Sequence, residues 1–586
     1  NHPMKPDREK EEKAISRRNR RMLLVGCVFT LFFLVIAFKA LPLQVFADTR
    51  LSRKASGEYS RSVELREKRG TIYDANSREL AVSTSVMAVG AHPDRIEQPG
   101  KVAAIIAEEL DLDKGGLMEK LRSDASFVWI RRDVSPEKAS ALDRRIDQGL
   151  ELVDTYSRVY PHKSLGAQVI GFSGVDGHGL EGVEYYYDTR LKGDPRQWTI
   201  VKDALGRIFQ RSSPEQTSEE GKNLVLTLDA NIQYITEEAL KKSVLKFNAE
   251  SGMALVMEPQ TGAVRAVAHY PEFNPNAFTR FPRRNWRNRA VTDSFEPGST
   301  FKIFLAAAAL ESGLYTPDTI VDCENGRYSS YGRVIKDTHP YDELTLTEVI
   351  KYSSNIGAVK IAEAIGPKTL YDILRDFGFG EKTGIDCPGE TAGRLRHYRN
   401  WRGIDHATIA FGQGVSVSAV QLLSAVSAIA NHGVLMKPRV AKAITNPDGS
   451  IAKNFEPEMM RRVISADTAD QLKEMMRAVT EPDGTGRHAS PEGYAACGKT
   501  GTAQILNDQG TYKNSEYHAL FAGFAPAESP ELAALVIVRA PKVNHYGGKV
   551  AGSAFAEIIR ESFNYMNIAP RVVQNSGNRG DEKEGA

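Results

Sequence analysis

A run of seventeen uncharged, mostly apolar residues, "MLLVGCVFTLFFLVIAF" from Met22 to Phe38, follows the basic block "RRNRR", Arg17 to Arg21. As a helix this run would be about 26 Å long, and the hydrocarbon core of a bilayer is about 30 Å thick. Lys39 can snorkel, and the following "ALPLQVF" can complete the span. Basic residues ahead of a span favour a cytoplasmic N-terminus. We therefore expect a basic cytoplasmic tail over 1–21, a transmembrane anchor over 22–43, and the rest of the chain outside the cytoplasm.

A cleaved signal peptide is the main alternative, with "VFA", Val45 to Ala47, as its cleavage site. The apolar core of a signal peptide is about 7–15 residues long, which is shorter than this run and favours an uncleaved anchor. A buried core helix is a third interpretation, which the adjoining basic block opposes. No second apolar run of comparable length appears in the sequence, so we expect a single-pass protein.

Composition narrows the function classes. A chain of 586 residues exceeds one ordinary domain and predicts two or three. The net charge of +2 gives no reason to expect nucleic acid, and we interpret the arginine-rich segment over 280–289 as an exposed loop. The histidines form no H-E-x-x-H cluster, so we expect neither a metal nor another cofactor. The four cysteines are too few for a disulfide framework, and we expect Cys323 and Cys387 to be free and Cys497 to be buried.

Pattern changes divide the remaining chain into two parts. Between residues 44 and 218, alternating runs such as "RGTIYDANSRELAVS" mix with helical patterns such as "KVAAIIAEELDLD", which predicts an α+β module. The polar "RSSPEQTSEEGK", Arg211 to Lys222, is typical of a linker. A second domain over 219–568 begins with the strand pattern "NLVLTLD", the helix pattern "ANIQYITEEALKKSVLKF" and a hairpin pattern in "GMALVMEPQTGAVRAVAHY". The composition of 569–586 predicts a disordered tail.

The segment "EPGSTFK" places Ser299 and Lys302 three residues apart at the predicted start of a helix. That spacing puts both side chains on one helix face. A serine is a weak nucleophile until a base takes its proton, and a desolvated lysine can be that base. Backbone N–H groups at a helix start can also stabilise a developing oxyanion. Taken alone, the pair fits equally a capping serine and a solvated lysine.

Two further segments change that balance. "YSSNIG" holds Ser353, Ser354 and Asn355, and "CGKTGTAQ" runs from Cys497 to Gln504. The order S-x-x-K, S-x-N, K-T-G is the pattern of β-lactamases and penicillin-binding proteins. The middle motif reads S-S-N and not S-D-N, which points away from β-lactamases.

With these motifs the chain resembles the class B penicillin-binding proteins, which are monofunctional peptidoglycan D,D-transpeptidases, and most of all their division-specific members. "RVYPHKSLGAQVIGF", "GLEGVEYYYDTRLKG", "FGQGVSVSAVQL" and "YHALFAGFAP" match further family motifs. "RGTIYDANSRELA" matches another, although Ala75 and Ser77 depart from its usual arginine and glycine. No glycosyltransferase segment precedes the anchor in this sequence, so the monofunctional class is expected.

The resemblance implies an α+β multidomain protein. A single transmembrane helix is followed by an elongated α+β pedestal over 44–218. The transpeptidase domain over 219–568 would hold an antiparallel sheet covered by helices, together with an all-helical subdomain.

The resemblance also implies the catalytic roles. Lys302 would deprotonate Ser299, which attacks the penultimate D-Ala carbonyl of a stem peptide ending in D-Ala-D-Ala. Ser353 would relay a proton to the leaving amine, and Asn355 would hold an amide of the donor peptide. The backbone N–H groups of Ser299 and Thr502 would form the oxyanion hole.

Substrate binding is implied for the third motif. Lys499, Thr500 and Thr502 would bind the terminal carboxylate through charge and hydroxyl donors. We expect Gly501 to be needed because substrate backbone must approach this strand closely. A second stem peptide would then supply the acceptor amine.

The family further implies partners and location. These are a SEDS-type glycosyltransferase, other membrane proteins of the divisome, and β-lactams as inhibitors. The catalytic domain would lie on the periplasmic side of the cytoplasmic membrane. Three alternatives stay open: an elongation-type transpeptidase, a β-lactamase or β-lactam sensor, and a division scaffold without activity. Between Asn355 and Lys499 no glutamate is followed four residues later by asparagine, the pattern of the deacylating loop of class A β-lactamases.

Overall fold

The computed structural model describes residues 8–44, 60–65, 68–193, 196–202, 208–212, 220–506 and 512–570. The chain divides into two compact units, one formed by residues 1–65 with 195–218 and the other by 66–194 with 219–586. The alternative cleavage site at Val45–Ala47, most of the predicted linker, and residues 571–586 of the predicted tail lie outside the described residues.

The helices share the chain with many short strands and lie, in order, at α1 Arg8–Gln44, α2 Pro99–Leu110, α3 Lys114–Leu121, α4 Pro136–Arg145, α5 Ala167–Ile170, α6 Gly182–Tyr186, α7 Asp188–Leu191, α8 Ala230–Lys246, α9 Arg289–Thr292, α10 Lys302–Glu311, α11 Leu346–Tyr352, α12 Asn355–Asp376, α13 Gly403–Ile409, α14 Ala419–Ala430, α15 Ala466–Thr480 and α16 Gly547–Met566.

The strands lie at β1 Ser60–Leu65, β2 Ile72–Tyr73, β3 Glu79–Ala91, β4 Val128–Val134, β5 Leu150–Val159, β6 Phe172–Ser173, β7 Gly179–Glu181, β8 Arg196–Lys202, β9 Ile208–Ser212, β10 Asn223–Leu226, β11 Ser251–Met257, β12 Val264–Tyr270, β13 Ile320–Asp322, β14 Arg327–Ser330, β15 Arg333–Lys336, β16 Glu343–Thr345, β17 Val434–Met436, β18 Ala441–Thr445, β19 Ile451–Asn454, β20 Met459–Arg462, β21 Cys497–Leu506, β22 Tyr512–Ala525 and β23 Leu532–Arg539.

The first unit contains α1 and a three-stranded sheet in the order β1-β8-β9. Within residues 15–39 of α1, an 18-residue window has a mean hydropathy of 2.5, and this 25-residue segment is long and apolar enough to cross a bilayer. Within the described part of the chain this is the one helix with that property. The helix begins at Arg8, so the basic block over 17–21 continues the same helix.

The second unit contains a seven-stranded sheet that joins both parts of the chain. Its order is β19-β18-β10-β2-β3-β4, with β5 also paired to β3. The parallel pair β2–β10 connects the segment before residue 194 to the segment after 219, and the other pairs are antiparallel. The two predicted domains therefore share a sheet.

A five-stranded antiparallel sheet in the order β12-β11-β23-β22-β21 forms the centre of the second half. Every residue of β11 is buried, because α8 and α16 contact one side of the sheet and α14 contacts the other. The predicted sheet covered by helices is confirmed, as are the hairpin β11–β12 and the helix α8. Strand β21 is the edge of this sheet and carries the K-T-G motif.

A helical region packs beside β21. It is built from α10, α11, α12, α13 and α15, which contact one another. Residues Lys302–Leu310 of α10 are all buried, which makes this helix the centre of the region. Two small sheets, β13 with β16 and β14 with β15, also belong here and add strands to the helical subdomain that the family resemblance implies.

Candidate active site

Ser299 lies in a 3₁₀ turn, Gly298–Phe301, immediately before α10. The N–H of Gly298 donates to the carbonyl of Gly412 at 3.2 Å, which ties the turn to a neighbouring loop. Gly298 has a φ of 55°, a left-handed conformation that glycine adopts without steric cost. A Cβ at this position would also lie 3.3 Å from the carbonyl oxygen of Thr502 on β21. The half-buried Ser299 is thus held between this loop and the K-T-G strand.

Lys302 is the first residue of α10, and its side chain is fully buried. Its Nζ donates to the carbonyl of Ser353 at 2.6 Å and to Oδ1 of Asn355 at 2.8 Å, and lies 3.3 Å from Oγ of Ser353. Burial lowers the pKa of Lys302 to about 7, although the carboxylate of Asp337 acts in the opposite direction. A large share of this amine is therefore neutral near pH 7 and can accept a proton.

The S-S-N motif forms the junction between α11 and α12. Ser353 ends α11 in a left-handed conformation with φ of 63°, which is uncommon for a residue other than glycine, asparagine or aspartate. Ser354 caps α12 by accepting the N–H of Gly357 at 2.9 Å. This sharp turn brings the carbonyl of Ser353 and the side chain of Asn355 to the same amine.

Lys499 on β21 is also fully buried. Its Nζ lies 3.3 Å from both the carbonyl oxygen and Oγ1 of Thr500. Burial, together with the nearby positive charge of Lys302, holds the pKa of Lys499 well below its usual value. Two lysines therefore share one buried region, and an incoming carboxylate would favour the charged form of Lys499.

At position 501 the structure gives a reason for glycine that the sequence did not reveal. A Cβ there would lie 2.9 Å from Cγ2 of Thr300 and 3.1 Å from the carbonyl oxygen of Pro297. The turn that carries Ser299 thus approaches this strand closely, which is a reason for glycine independent of the predicted approach of substrate. The hydroxyl of Thr502 accepts the N–H of Gly547, the first residue of α16, at 3.3 Å.

Two residues that the sequence analysis does not single out are bonded to these motifs. Thr485 donates from its hydroxyl to the carbonyl of Lys351 at 2.9 Å and lies 3.4 Å from Oγ1 of Thr500, so it links α11 to β21. The carboxylate of Asp337 accepts hydrogen bonds from Ser354 and from the backbone of Asn355. No short motif marks either residue, since each is distant in sequence from the groups it contacts.

All three motifs therefore meet in one region. Lys302 directly contacts the S-S-N motif, and it interacts electrostatically with Lys499. The turn with Ser299 packs against Gly501. Cys323 and Cys387 are free and Cys497 is buried, as the sequence predicts, and the structure shows that Cys323 and Cys387 are buried as well.

Two protein families match this chain. The Penicillin binding protein transpeptidase domain matches residues 252–560, and the Penicillin-binding Protein dimerisation domain matches residues 65–226. The first match spans more than half of the chain and contains every residue of the three motifs.

Similar proteins match over nearly the whole length. The probable peptidoglycan D,D-transpeptidase PenA of Neisseria meningitidis is 32% identical over 573 residues, which cover 97% of this chain and 96% of the relative. Peptidoglycan D,D-transpeptidase FtsI of Escherichia coli is 32% identical over 580 residues, covering 97% and 95%. The crystal structure of penicillin binding protein 3 from Mycobacterium tuberculosis, complexed with aztreonam, has a TM-score of 0.69 and 29% identity over 87% of this chain and 98% of that one. The chain therefore belongs to the class B penicillin-binding proteins, among the relatives of FtsI.

Proposed function

We propose that this protein is a serine-type D-Ala-D-Ala transpeptidase that cross-links peptidoglycan stem peptides. The observation that carries the proposal is the buried Lys302 amine, with a pKa lowered to about 7, one helical turn after Ser299 and bonded to Ser353 and Asn355. A base with a pKa near the working pH is well suited to activate a serine. Relatives named peptidoglycan D,D-transpeptidase support the reaction class.

Acylation would begin when neutral Lys302 takes the proton from Oγ of Ser299. Oγ forms a bond to the penultimate D-Ala carbonyl carbon, and the backbone N–H groups of Ser299 and Thr502 stabilise the resulting oxyanion. Losing one such donor typically costs about 3 kcal/mol of transition-state stabilisation. As the peptide C–N bond breaks, the proton passes from Lys302 through Ser353 to the leaving D-Ala amine.

Substrate alignment would come from β21 and α12. The edge position of β21 leaves backbone groups available to an extended peptide. Lys499, Thr500 and Thr502 bind the terminal carboxylate, and Asn355 holds a donor amide. The amine of a second stem peptide then attacks the Ser299 ester: a C–N bond forms, the C–Oγ bond breaks, and Lys302 carries the proton lost by the amine to Oγ.

The membrane context follows from α1. We propose that the basic N-terminal tail is cytoplasmic and that the catalytic domain lies in the periplasm, anchored by residues 22–43. The similarity to relatives named FtsI supports a role in septal wall synthesis. We propose a SEDS-type glycosyltransferase and other divisome proteins as the membrane partners. Depletion should then block septation and give filaments, whereas rounded cells would indicate the elongation-type alternative.

Labelling by a fluorescent penicillin tests the reaction directly. The full chain in detergent should be labelled, and Ser299→Ala should abolish the label. A control with the neighbouring Ser294→Ala, at an exposed position, should keep it. Labelling of Ser299→Ala at the wild-type level would refute the nucleophile assignment, and no labelling of the wild type would favour the scaffold alternative.

The lifetime of the acyl-enzyme separates a transpeptidase from a β-lactamase. A β-lactamase must activate water to hydrolyse the ester, whereas an amine acceptor supplies its own nucleophilicity. Because no glutamate between Asn355 and Lys499 is followed four residues later by asparagine, the stretch where class A β-lactamases carry their deacylating loop lacks its pattern, and the penicilloyl ester should persist. Intact-mass measurement should find a stable adduct on the peptide that contains Ser299. Rapid drug turnover without an adduct would move the assignment to a β-lactamase.

A further inference from the structure

Asp337 follows β15, outside the three motifs, yet its carboxylate binds the first turn of α12. Oδ1 accepts the backbone N–H of Asn355 at 2.5 Å and that of Ile356 at 3.1 Å. Oδ2 accepts the hydroxyl of Ser354 at 2.5 Å. Two of the donors are backbone N–H groups at the start of a helix, where negative charge is favoured. One carboxylate thus receives three hydrogen bonds from the S-S-N motif and its neighbour.

The segment that carries Asp337 is itself held in place. The backbone N–H of Asp337 donates to the carbonyl of Gly326 at 3.3 Å, across the β14–β15 hairpin. The preceding Lys336 accepts the side-chain amide of Asn355 at 3.1 Å through its carbonyl oxygen. The amide of Asn355 is therefore fixed at both ends, with Nδ2 on the hairpin and Oδ1 on Lys302.

We propose that Asp337 is a positioning residue of this site: its carboxylate holds Ser353 and Asn355 in register with the Lys302 amine, and its negative charge acts on that amine. The inference rests on the serine acylation proposed above and extends it to a residue that does not touch the substrate.

The charge of Asp337 has a chemical consequence. Lys302 must be neutral to take the serine proton, and it must then hold that proton until the amine leaves. Asp337 favours the protonated form of Lys302, which partly offsets the effect of burial. Without the carboxylate, Lys302 would be a weaker base, and its neutral form would persist to lower pH.

Several elements pack around Lys302 and present other polar or charged groups. Lys499 faces it from β21, and α11 and α12 present the neutral Ser353 and Asn355. On α15, the ammonium of Lys473 is paired with Asp470. Asp337 is thus the carboxylate that acts on the amine, and its removal should be visible in the pH profile of acylation.

The test is the second-order rate of acylation by a fluorescent penicillin, measured on the full chain in detergent from pH 5.5 to 9. In the wild type this rate should rise with pH along an acid limb and level off at a plateau once Lys302 is neutral. Asp337→Asn should lower the plateau rate about 10- to 100-fold, because the amide cannot accept all three hydrogen bonds. The acid limb should also move to lower pH by about half a unit or more, because a favourable charge is lost. Asp337→Glu should keep the acid limb at its wild-type pH with a smaller loss of rate.

Asp342→Asn is the matched control, since Asp342 lies five residues further along, is exposed, and undergoes the same change of charge. It should behave like the wild type. A wild-type plateau and acid limb in Asp337→Asn would overturn the inference. A lowered plateau with an unmoved acid limb would also overturn it, because Asp337 would then only cap α12 and its charge would have no effect on Lys302.

Folding of each variant is checked by thermal unfolding. If Asp337→Asn does not fold, Ser354→Ala provides the test, because it removes one hydrogen bond to the carboxylate, together with the cap on the N–H of Gly357, and no charge. It should slow acylation about 3- to 10-fold with the acid limb unmoved, and a wild-type rate would overturn the inference. An unlabelled wild-type chain would instead refute the proposed function itself.

Discussion

At Lys302, two opposing effects set the proton affinity of one amine. Burial removes the water that stabilises the ammonium form, and the Asp337 carboxylate favours that form. Burial is the larger effect, and it lowers the pKa to about 7. With a pKa near 7, both forms of the amine are accessible near neutral pH, so it can accept a proton from Ser299 and return one later.

Replacement of Lys302 tests this account. Acylation of the wild type should fall as the pH drops through about 7, because Lys302 becomes protonated and can no longer act as a base. Lys302→Arg keeps a cation but cannot be deprotonated, so the rate should fall about 10²- to 10⁴-fold without recovery at high pH. The exposed Lys368→Arg is the control. Stopped-flow acylation across pH gives the rates, and a wild-type rate in Lys302→Arg would refute the assigned role.

Gly501 offers a second test at this scale. In Gly501→Ala the new methyl would lie within 3.1 Å of both Thr300 and Pro297, so the turn that carries Ser299 must shift. Overpacking of this kind costs about 1–3 kcal/mol, and we expect a similar loss in acylation, about 10- to 100-fold. Gly100→Ala on α2, with open space around it, is the control. An unchanged acylation rate in Gly501→Ala would show that the turn tolerates the shift.

The motif residues could be predicted from sequence because fixed spacing along a helix or strand brings them together. Lys302 follows Ser299 on one helix face, and Lys499 and Thr500 share one strand. Asp337 could not be predicted, because a separate hairpin carries it to α12. The contact between Gly501 and the turn that carries Ser299 could not be predicted either, since sequence does not show which segment packs on a strand.

At the level of elements, the long periodic segments were predictable and the short ones were not. The helix α8 and the hairpin β11–β12 fall where their patterns indicate. The strands β13 to β16 contain three or four residues each, too few for an alternating pattern to stand out. Their positions depend on tertiary pairing, and one of these pairs places Asp337.

Helix α8 carries a carboxyl group that joins the two parts of the second unit. Oε1 of Glu237 accepts the N–H of Gly166 at 2.8 Å and the side-chain amide of Gln233 at 2.7 Å. Burial raises the pKa of Glu237 to about 7, while these hydrogen bonds act in the opposite direction. Between pH 4.5 and 7 the folded state thus binds more protons than the unfolded state. The contribution of this group to stability falls as the pH rises through that range.

Glu237→Gln should therefore change stability at one end of the pH range only. The variant keeps the acceptor and is neutral at every pH. At pH 5 it should melt with the wild type, and at pH 8 it should melt higher by about 2 °C or more. Glu119→Gln, on the exposed face of α3, is the control. Calorimetry at pH 5 and pH 8 measures the melting temperatures. An equal difference between variant and wild type at both pH values would show that the charge on Glu237 does not cause the change in stability.

Across the whole second unit, the segment before residue 194 and the segment after 219 share one hydrophobic core. Phe172, from the first segment, stacks on Phe278 with ring centroids 4.1 Å apart and meets Phe273 and Trp286 edge-on. Phe172 is 1% exposed. The parallel pair β2–β10 adds backbone hydrogen bonds across the same boundary. The pedestal segment and the catalytic segment should therefore unfold together.

Phe172→Ala tests this cooperative unfolding. The substitution leaves a cavity between the two segments and should destabilise the unit by about 3–5 kcal/mol. Because the core is shared, heating should abolish penicillin labelling of Ser299 at the same lowered temperature at which secondary structure is lost. Leu180→Ala changes a side chain in the same segment that is 49% exposed. It should leave the temperatures at which labelling and secondary structure are lost unchanged. If labelling in Phe172→Ala survives to the wild-type temperature while part of the secondary structure melts early, the catalytic segment folds independently of its pedestal.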